Sequence, residues 1–367
     1  MQASILILNW NGLDVLRPCL AAIETNTAGC DYEVIVLDNG SEEQGVEDAV
    51  QPYSRVRLIK EPVNHGFSRG NNLAAAQARG EFLVILNNDT VPHAGWLPPL
   101  LAALKDDVGM AGARLVDGQG RTQFAGAYFD PAINAYARLY RNYPASSVTQ
   151  PRECEAYIAC GIALSRELFL SVGGFDEAYF QGYEDMDLCL KVRARGLRIA
   201  YVPDSEIEHI ENVSMNRMRR RHRRSTKERN RAHFEATWKT RLHAFRLPLP
   251  TEGRRDFALF EKLDEALLAA VPPEPGRVLH LGCGTGRLGE TLKKRWPASS
   301  VTGVEDDRTA VVQARTRIDE AIFAPRPESL PRKGDSYDTL ILSGMLERSP
   351  DPWGLLFACA EALREGG

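Results

Sequence analysis

Carboxylate and amide side chains stand directly after two apolar runs that are typical of buried strands. Asp38 and Asn39 follow residues 34–37, and Asn87, Asn88 and Asp89 follow residues 82–86. A carboxylate at such a place can accept hydrogen bonds from a base or ribose, or bind a hard divalent cation beside a diphosphate. Each cluster alone is equally typical of a polar turn that closes a strand.

A third acidic cluster, which contains Glu184 and Asp185, is predicted to start a helix that ends at Gly196. One of its carboxylates could project into a cleft as a general base. The helix dipole also favours acidic residues in a first turn, so a purely structural explanation stays open. His209 is an isolated histidine, and it becomes a metal-ligand candidate only where the fold brings it to Asp89.

Residues 64–72 form a glycine-containing segment, Asn-His-Gly-Phe-Ser-Arg-Gly-Asn-Asn, that is predicted to precede a helix over residues 73–78. Its glycines allow the backbone to approach a ligand closely, and the N-terminus of a helix attracts phosphate. An ordinary capped loop is the alternative.

The elements that must position these side chains follow an alternating pattern. Apolar runs at residues 5–8, 34–37, 56–59 and 82–86 are separated by helical stretches, and a further strand is predicted at residues 198–202. This βαβ rhythm predicts an α/β fold with a mostly parallel sheet. Ligands bind beyond the carboxyl ends of such strands, which is where the polar clusters fall.

A second unit is predicted after the proline-rich stop at residues 247–250. A helical stretch over residues 257–270 comes first, and a buried strand at residues 277–281 then runs into Gly282, Gly284 and Gly286. Glu305 ends the next strand, nineteen residues after Gly286, where a carboxylate can bind both hydroxyls of a ribose. We therefore predict a first domain over residues 1–247, a linker and leading helix over 248–275, and a second domain over 276–367.

As a set, the motifs of the first domain closely resemble those of the family-2 glycosyltransferases of the GT-A fold, in particular a bacterial rhamnosyltransferase-like branch. The resemblance covers roughly residues 3–240, and Asn87 stands where the usual motif has its first aspartate. It implies metal-dependent, inverting transfer of a sugar from a nucleotide-diphosphate donor to a glycan, lipid-linked or protein acceptor in bacterial surface polysaccharide biosynthesis. The matching motifs lie at residues 8–12, 36–41, 64–72, 86–90, 173–177 and 184–188.

The same resemblance implies a role for each matched residue. Asp185 would deprotonate the acceptor hydroxyl, with Glu184 and Trp10 on the acceptor side. Asp89 and His209 would hold Mg²⁺ or Mn²⁺ on the diphosphate. The implied donor-binding residues are Asn9, Asn11, Asp38, Asn39, Gly66, Phe67, Asn71, Asn87 and Asn88.

From residue 276 onward the chain resembles class I S-adenosylmethionine-dependent methyltransferases, which implies a partial Rossmann-like domain with cofactor contacts from Gly282, Gly284, Gly286 and Glu305. Arg348 stands where many members have histidine. The chain has about four of the seven strands of that fold, so we expect this domain to be incomplete. An alternative function is therefore methylation of a glycan, with the first domain serving acceptor binding. A third possibility is a module that only binds anionic partners.

Residues 217–231 contain nine lysines or arginines, the densest charge in the chain. Such a segment can be a solvated helix face, bind nucleic acid, or meet anionic lipid headgroups or a diphosphate-bearing acceptor. It lacks interleaved aromatic residues, so an acceptor-facing or membrane-surface role is favoured over nucleic acid. Asn230, near the end of this segment, and Phe234 and Trp238 after it fit a pattern that family-2 transferases often carry.

Composition limits the cellular setting. The net charge is −4, and seven cysteines are scattered without any CxxC pair, which argues against a disulfide framework or a structural zinc site. A reducing, cytoplasmic compartment is expected. No secretory signal pattern and no run of membrane-spanning length occur, so any membrane contact is expected to be peripheral, at the inner face.

Overall fold

The computed structural model describes residues 1–130, 135–141, 143–210, 220–247, 263, 265–324, 337–345 and 352–364. The chain divides into two compact units, Met1–Phe129 with Tyr136–Gly253, and Asp130–Ala135 with Arg254–Gly367. The boundary predicted near residue 248 falls in a stretch, 248–262, that lies outside the described residues. The predicted domain limits therefore stay predictions.

The first part of the chain contributes twelve described strands, ten of which form one mixed sheet in the order β10-β12-β6-β11-β4-β1-β2-β3, with β5 on β12 and β7 on β6. Strands β8 and β9 form a separate pair. The strands are β1 Ala3–Asn9, β2 Tyr32–Asn39, β3 Val56–Glu61, β4 Phe82–Asn87, β5 Thr90–Pro92, β6 Val108–Val116, β7 Thr122–Phe124, β8 Ala127–Asp130, β9 Ala135–Arg138, β10 Arg152–Cys154, β11 Ile162–Ser165 and β12 Arg198–His209.

Helices connect these strands, as the alternating apolar pattern predicts. They are α1 Leu13–Asn26, α2 Val46–Val50, α3 Gly66–Ala76, α4 Leu97–Ala102, α5 Arg166–Ser171, α6 Glu184–Arg193 and α7 Arg220–Trp238, with short 3₁₀ turns at Ala145–Ser147 and Leu242–Phe245. Strands β1 and β2 are buried along almost their whole length because helices and loops cover both faces of the sheet.

The central strands β3, β2, β1 and β4 are parallel, and their register brings the polar clusters together. Asn9 pairs with Asp38, and Leu8 pairs with Asn87. The carboxyl ends of β1, β2 and β4 therefore lie side by side at one edge of the sheet. This confirms the α/β prediction. The prediction of a mostly parallel sheet holds only for these central strands, because five of the nine pairings among the described strands of the sheet are antiparallel.

The glycine-containing segment differs from its prediction: residues 66–72 form the first two turns of α3 and do not precede it. Gly70 explains why a helix with low intrinsic propensity is stable here. A Cβ at this position would lie 2.5 Å from the Leu8 side chain, so the glycine lets α3 pack directly on β1. Burial against the sheet outweighs the conformational cost of glycine in a helix.

Strand β12 also differs from its prediction, because it continues past residue 202 to His209. A register shift between Val202 and Glu206 bends it while it remains paired with β6. Its last residues then pair antiparallel with β5, so that His209 lies opposite Thr90. A bulge allows a strand to change direction without ending, which is why a break in the apolar pattern suggested an earlier end.

The second unit contains a four-stranded parallel sheet in the order β15-β14-β13-β16. Of the helix predicted over residues 257–270, the described part is α8, and residues 257–262 and 264 lie outside the described residues. Throughout the described ranges, no helix is both long and apolar enough to cross a membrane. The elements are β13 Arg277–Leu281, β14 Ser300–Glu305, β15 Glu320–Phe323, β16 Thr339–Leu342, α8 Glu265–Ala270, α9 Arg287–Arg295, α10 Arg308–Ala314 and α11 Pro352–Ala362.

Candidate active site

A cleft opens in the first unit at the carboxyl ends of β1, β2 and β4. It brings together most of the predicted site residues. The described residues that line it are Leu8, Trp10, Asn39, Asn64, Gly66, Phe67, Asn71, Leu86, Asn87, Asn88, Asp89, Arg138, Ile158, Ala159, Cys160, Phe180, Gln181, Glu184, Asp185 and His209.

Asp89 and His209 meet in this cleft. The Nε2 atom of His209 lies 3.4 Å from Oδ1 of Asp89, and both side chains are about nine-tenths buried. The pairing of β12 with β5 produces this contact, and the Ile210 amide donates to the Asp89 carbonyl at 2.9 Å. Nδ1 of His209 lies 3.2 Å from Oε1 of Gln123, an oxygen that can only accept. Both ring nitrogens of His209 therefore lie near an oxygen, and these two contacts hold the orientation of the ring.

A buried network of side chains joins the ends of three strands. Asn9 donates to Asp38 at 3.3 Å and accepts from Asn88 at 2.9 Å. Asp38 also accepts a hydrogen bond from Ser41. Asn9, Asp38 and Asn88 are each less than 5% exposed, and only Asn88 belongs to the cleft lining described above. The donor-contacting roles of Asn9 and Asp38 therefore stay predictions. In the structure, their hydrogen bonds connect the ends of three strands next to the cleft.

Two further amides hold the loops around the cleft. Asn39 donates to the carbonyl of Gly66 at 3.2 Å and accepts from the amide of His65 at 3.0 Å, which ties β2 to the start of α3. Asn11 accepts from the backbone amide of Glu42 at 2.8 Å. Asn11 is not part of the cleft lining, so its predicted contact with a donor remains a prediction.

Glu184 and Asp185 begin α6, and both line the cleft. Glu184 is 6% exposed, and its Oε2 atom has no hydrogen-bond partner among the described residues. Burial, and then the charge of Asp185, raise the pKa of Glu184 to about 8. Burial also raises the pKa of Asp185, although the Met186 amide and Arg138 act in the opposite direction. At this helix start desolvation outweighs the favourable effect of the helix dipole.

Some cleft residues were not anticipated from the sequence. Arg138, which lines the cleft, comes from β9, in a region without a recognisable motif. Gln123 comes from β7 and contacts His209, although it is not among the lining residues. No local pattern marks either residue, because their positions depend on long-range packing. Phe180 and Gln181 carried a usable signal, since they lie between two of the motifs.

Comparison with known proteins agrees with this geometry. A sequence model described as glycosyl transferase family 2 matches residues 4–172. A second model, the N-terminal domain of galactosyltransferase, matches residues 143–216, and a methyltransferase domain model matches residues 279–367. Residues 4–172 belong to glycosyl transferase family 2. The predicted GT-A glycosyltransferase fold with a methyltransferase-type second domain is confirmed.

Curated relatives share the family 2 region. The uncharacterized protein y4gI of Sinorhizobium fredii is 31% identical over 277 residues, which are 70% of this chain and 30% of that protein. The O-antigen biosynthesis protein RfbC of Myxococcus xanthus is 30% identical over 224 residues, 58% of this chain and 18% of that protein. This chain therefore spans less than a third of the length of either relative. A crystal structure of GalNAc-T7 with UDP, GalNAc and Mn²⁺ aligns with a TM-score of 0.48 at 19% identity, covering 57% of this chain and 44% of that one.

The second domain places its predicted cofactor residues together. The Gly284 amide donates to Oε2 of Glu305 at 2.9 Å, and the Asp306 and Asp307 amides donate to its Oε1 atom. Gly282 has a φ of +74°, and a Cβ there would lie 2.2 Å from the Ser343 carbonyl. Gly286 has a φ of +80° and caps α9. Arg348 lies outside the described residues.

The basic segment is described in part. Residues 217–219 lie outside the described residues, and α7 begins at Arg220. Its predicted acceptor-facing or membrane-surface role stays a prediction.

Proposed function

We propose that the first domain transfers a sugar from a nucleotide-diphosphate donor to an acceptor hydroxyl, with inversion at the anomeric carbon. The observation that carries this proposal is the presence of two different sites in one cleft. The Asp89–His209 pair offers a carboxylate and an imidazole to a cation, and the Glu184–Asp185 pair offers a buried base.

The Asp89–His209 pair fits a divalent cation. Carboxylate oxygen and imidazole nitrogen are both ligands that Mn²⁺ accepts, and Nε2 of His209 lies 3.4 Å from Oδ1 of Asp89. No group of three or more His, Cys, Asp or Glu side chains able to hold a metal occurs among the described residues. The remaining ligands are then oxygens of the donor or water. When bound, Mg²⁺ or Mn²⁺ would neutralise charge on the departing diphosphate.

Asp185 is the proposed general base. Its carboxylate would take the proton of the acceptor hydroxyl as that oxygen bonds to the anomeric carbon, while the bond from this carbon to the diphosphate oxygen breaks. One displacement inverts the configuration, and the nucleoside diphosphate leaves. The raised pKa makes Asp185 a stronger base than an exposed aspartate. Glu184 and Trp10 would contact the acceptor, and Asn39, Gly66, Phe67, Asn71, Asn87 and Asn88 would contact the donor.

The acceptor is proposed to be a glycan or a lipid-linked or protein-bound saccharide in bacterial surface polysaccharide biosynthesis. The similarity to the O-antigen biosynthesis protein RfbC supports this class. For the second domain we propose a nucleoside cofactor, S-adenosylmethionine, at the Gly282–Gly286 loop. The hydrogen bond from the Gly284 amide to Glu305, which brings this carboxylate to the glycine loop, supports the proposal.

A panel of nucleotide sugars tests the first proposal through release of nucleoside diphosphate. We expect release from one donor class, loss of release with EDTA and recovery with Mn²⁺. His209→Ala should lose the response to Mn²⁺. His93→Ala, which changes a partly exposed histidine elsewhere in the same domain, should keep it.

Other outcomes of the panel favour other functions. Release that is insensitive to EDTA contradicts the metal assignment. Formation of S-adenosylhomocysteine from S-adenosylmethionine, without any diphosphate release, favours the methyltransferase alternative. Neither product, with anion binding that survives Asp89→Ala, favours a binding module.

A further inference from the structure

Residues 180–183, which lead into the Glu184–Asp185 pair, contact the start of α3 on the side of the cleft. The Phe67 amide donates to the Phe180 carbonyl at 2.6 Å. Gly66 makes this approach possible, because a Cβ at that position would lie 2.5 Å from the same carbonyl. The donor-side helix and the base-bearing segment are therefore in direct contact.

Helix α7 also holds this segment, through hydrogen bonds from two of its side chains. Asn230 donates from Nδ2 to the carbonyls of Gln181 and Gly182, at 2.9 and 2.8 Å, and it is fully buried. Trp238 donates from Nε1 to Oδ1 of Asp187 at 2.8 Å. Hydrogen bonds from α7 thus reach the chain both before and after the Glu184–Asp185 pair.

An aromatic contact between α7 and the same segment adds to these hydrogen bonds. The Phe234 ring lies 5.3 Å from the ring of Tyr183, measured between centroids. Residues 230, 234 and 238 are spaced by four, so they share one face of α7. We call Asn230, Phe234 and Trp238 the α7 stripe.

The backbone between these contacts is strained. Tyr183, the residue directly before Glu184, has a φ of +79°, a left-handed conformation that is unfavourable for an aromatic residue. Such a conformation persists only where the surroundings over-determine it, and it concentrates at functional sites. Asn230 holds the two preceding carbonyls, and Phe234 packs on the Tyr183 ring itself.

We propose that the α7 stripe is a positioning element that orients the Glu184–Asp185 pair in the cleft by holding the strained turn at Tyr183. The stripe is absent from the described cleft lining, so it acts through residues 181–187 and not through a substrate. The inference rests on the proposed role of Asp185 as the base.

A purely structural role has different consequences. Phe234 and Trp238 pack with Tyr179 and Leu190 in a small apolar cluster, so removing the stripe could simply loosen the domain. General loosening weakens donor binding and raises exchange of amides throughout the sheet. Loss of positioning lowers kcat and loosens residues 181–187, while donor binding and the sheet are unchanged.

The test compares Asn230→Ala with wild type in the full chain. We measure kcat and the donor KM with the nucleotide sugar identified by the panel, the Kd of UDP and dTDP with Mn²⁺, and hydrogen exchange of peptides over residues 181–187 and β4. The matched control is Thr237→Ala on the same helix, where the exposed hydroxyl donates only to the His233 carbonyl. Trp238→Phe is a second variant for the same test. It removes the indole N–H that binds Asp187 and keeps an aromatic ring, so little packing is lost.

The proposal expects Asn230→Ala to lower kcat at least tenfold, with KM and Kd within about twofold of wild type and faster exchange confined to residues 181–187. Trp238→Phe should lower kcat about threefold, and Thr237→Ala should match wild type. Unchanged kcat and exchange in both stripe variants overturn the proposal, and so does faster exchange in β4 together with weaker nucleotide binding. If the wild-type chain releases no diphosphate, the proposed function fails, and the exchange of residues 181–187 alone decides whether the stripe holds the turn.

Discussion

The Asp89–His209 pair and the Glu184–Asp185 pair share one cleft but differ in how their polar atoms are partnered. Both ring nitrogens of His209 face an oxygen, one from Gln123 and one from Asp89. Glu184, in contrast, buries a carboxyl oxygen without a partner among the described residues, and burial raises the pKa of both carboxyls.

The two pairs differ in this way because a metal ligand and a general base have different requirements. A metal ligand must keep one orientation and one tautomer, which a neighbouring acceptor can fix. A general base needs a proton affinity above that of an exposed carboxylate, and burial with few partners provides it. The unpartnered carboxyl oxygen belongs to Glu184, directly beside the proposed base Asp185. Each of the following experiments changes a residue of one pair, or a partner of that pair, and leaves the other pair intact.

The largest effect is expected from Asp185→Asn. The substitution keeps the shape of the side chain and removes the base, so kcat should fall by about 10³-fold. The Kd of the donor should be unchanged, because the Asp89–His209 pair is intact. Steady-state kinetics and a binding titration measure the two effects separately. Asp204→Asn, an exposed site on β12, serves as the matched control, and a near-wild-type rate in Asp185→Asn would contradict the assignment.

A smaller effect, on stability, is expected from Glu184→Gln. The pKa of Glu184 is raised from 4.5 to about 8, so between these pH values the folded chain holds a proton that the unfolded chain has released. The stability of the wild type therefore falls as pH rises through this window. Glutamine resembles the protonated form and lacks this dependence. At pH 8.5 the variant should melt about 5 °C above the wild type, and at pH 4.5 the two should melt together.

Glu167→Gln is the matched control for that measurement. Glu167 also lies in the first turn of a helix, α5, but it is exposed. Its substitution should not change how the melting temperature depends on pH. A pH dependence in Glu184→Gln that equals the wild type's would show that the buried carboxyl is not the group that titrates.

The sequence anticipated the two pairs to different degrees. Asp89 and Asp185 were marked by motifs at the ends of elements, because polar residues after an apolar run have a local pattern. His209 was a metal-ligand candidate, but the sequence did not predict that it would lie beside Asp89. The predicted strand stopped at residue 202, and the bulge after which β12 continues to β5 has no local sequence signature.

The remaining parts of the site depend on tertiary packing. Residues 66–72 were predicted to precede α3, because glycine and asparagine are poor helix formers, yet they form its first turns through close packing on Leu8. Gln123 and Arg138 come from short strands that precede or follow loops without motifs. The position of Arg138 in the cleft and that of Gln123 beside His209 are set by strand pairing and packing, which periodicity within one segment does not encode.

The smallest effect is expected from Gln123→Leu, which makes the metal pair resemble the base pair by leaving a buried group unpartnered. Leucine removes the acceptor for Nδ1 of His209 and the donor that binds the His209 carbonyl at 2.6 Å. The imidazole is then free to change its tautomer and orientation, so the apparent Kd for Mn²⁺ should rise about tenfold, the lower limit for losing such a partner. Titration of Mn²⁺ against diphosphate release measures it, with Gln119→Leu in an exposed turn as the matched control. An unchanged apparent Kd for Mn²⁺ would mean that His209 does not need Gln123 to bind the cation, and that the contrast between the two pairs lies in charge and not in partnering.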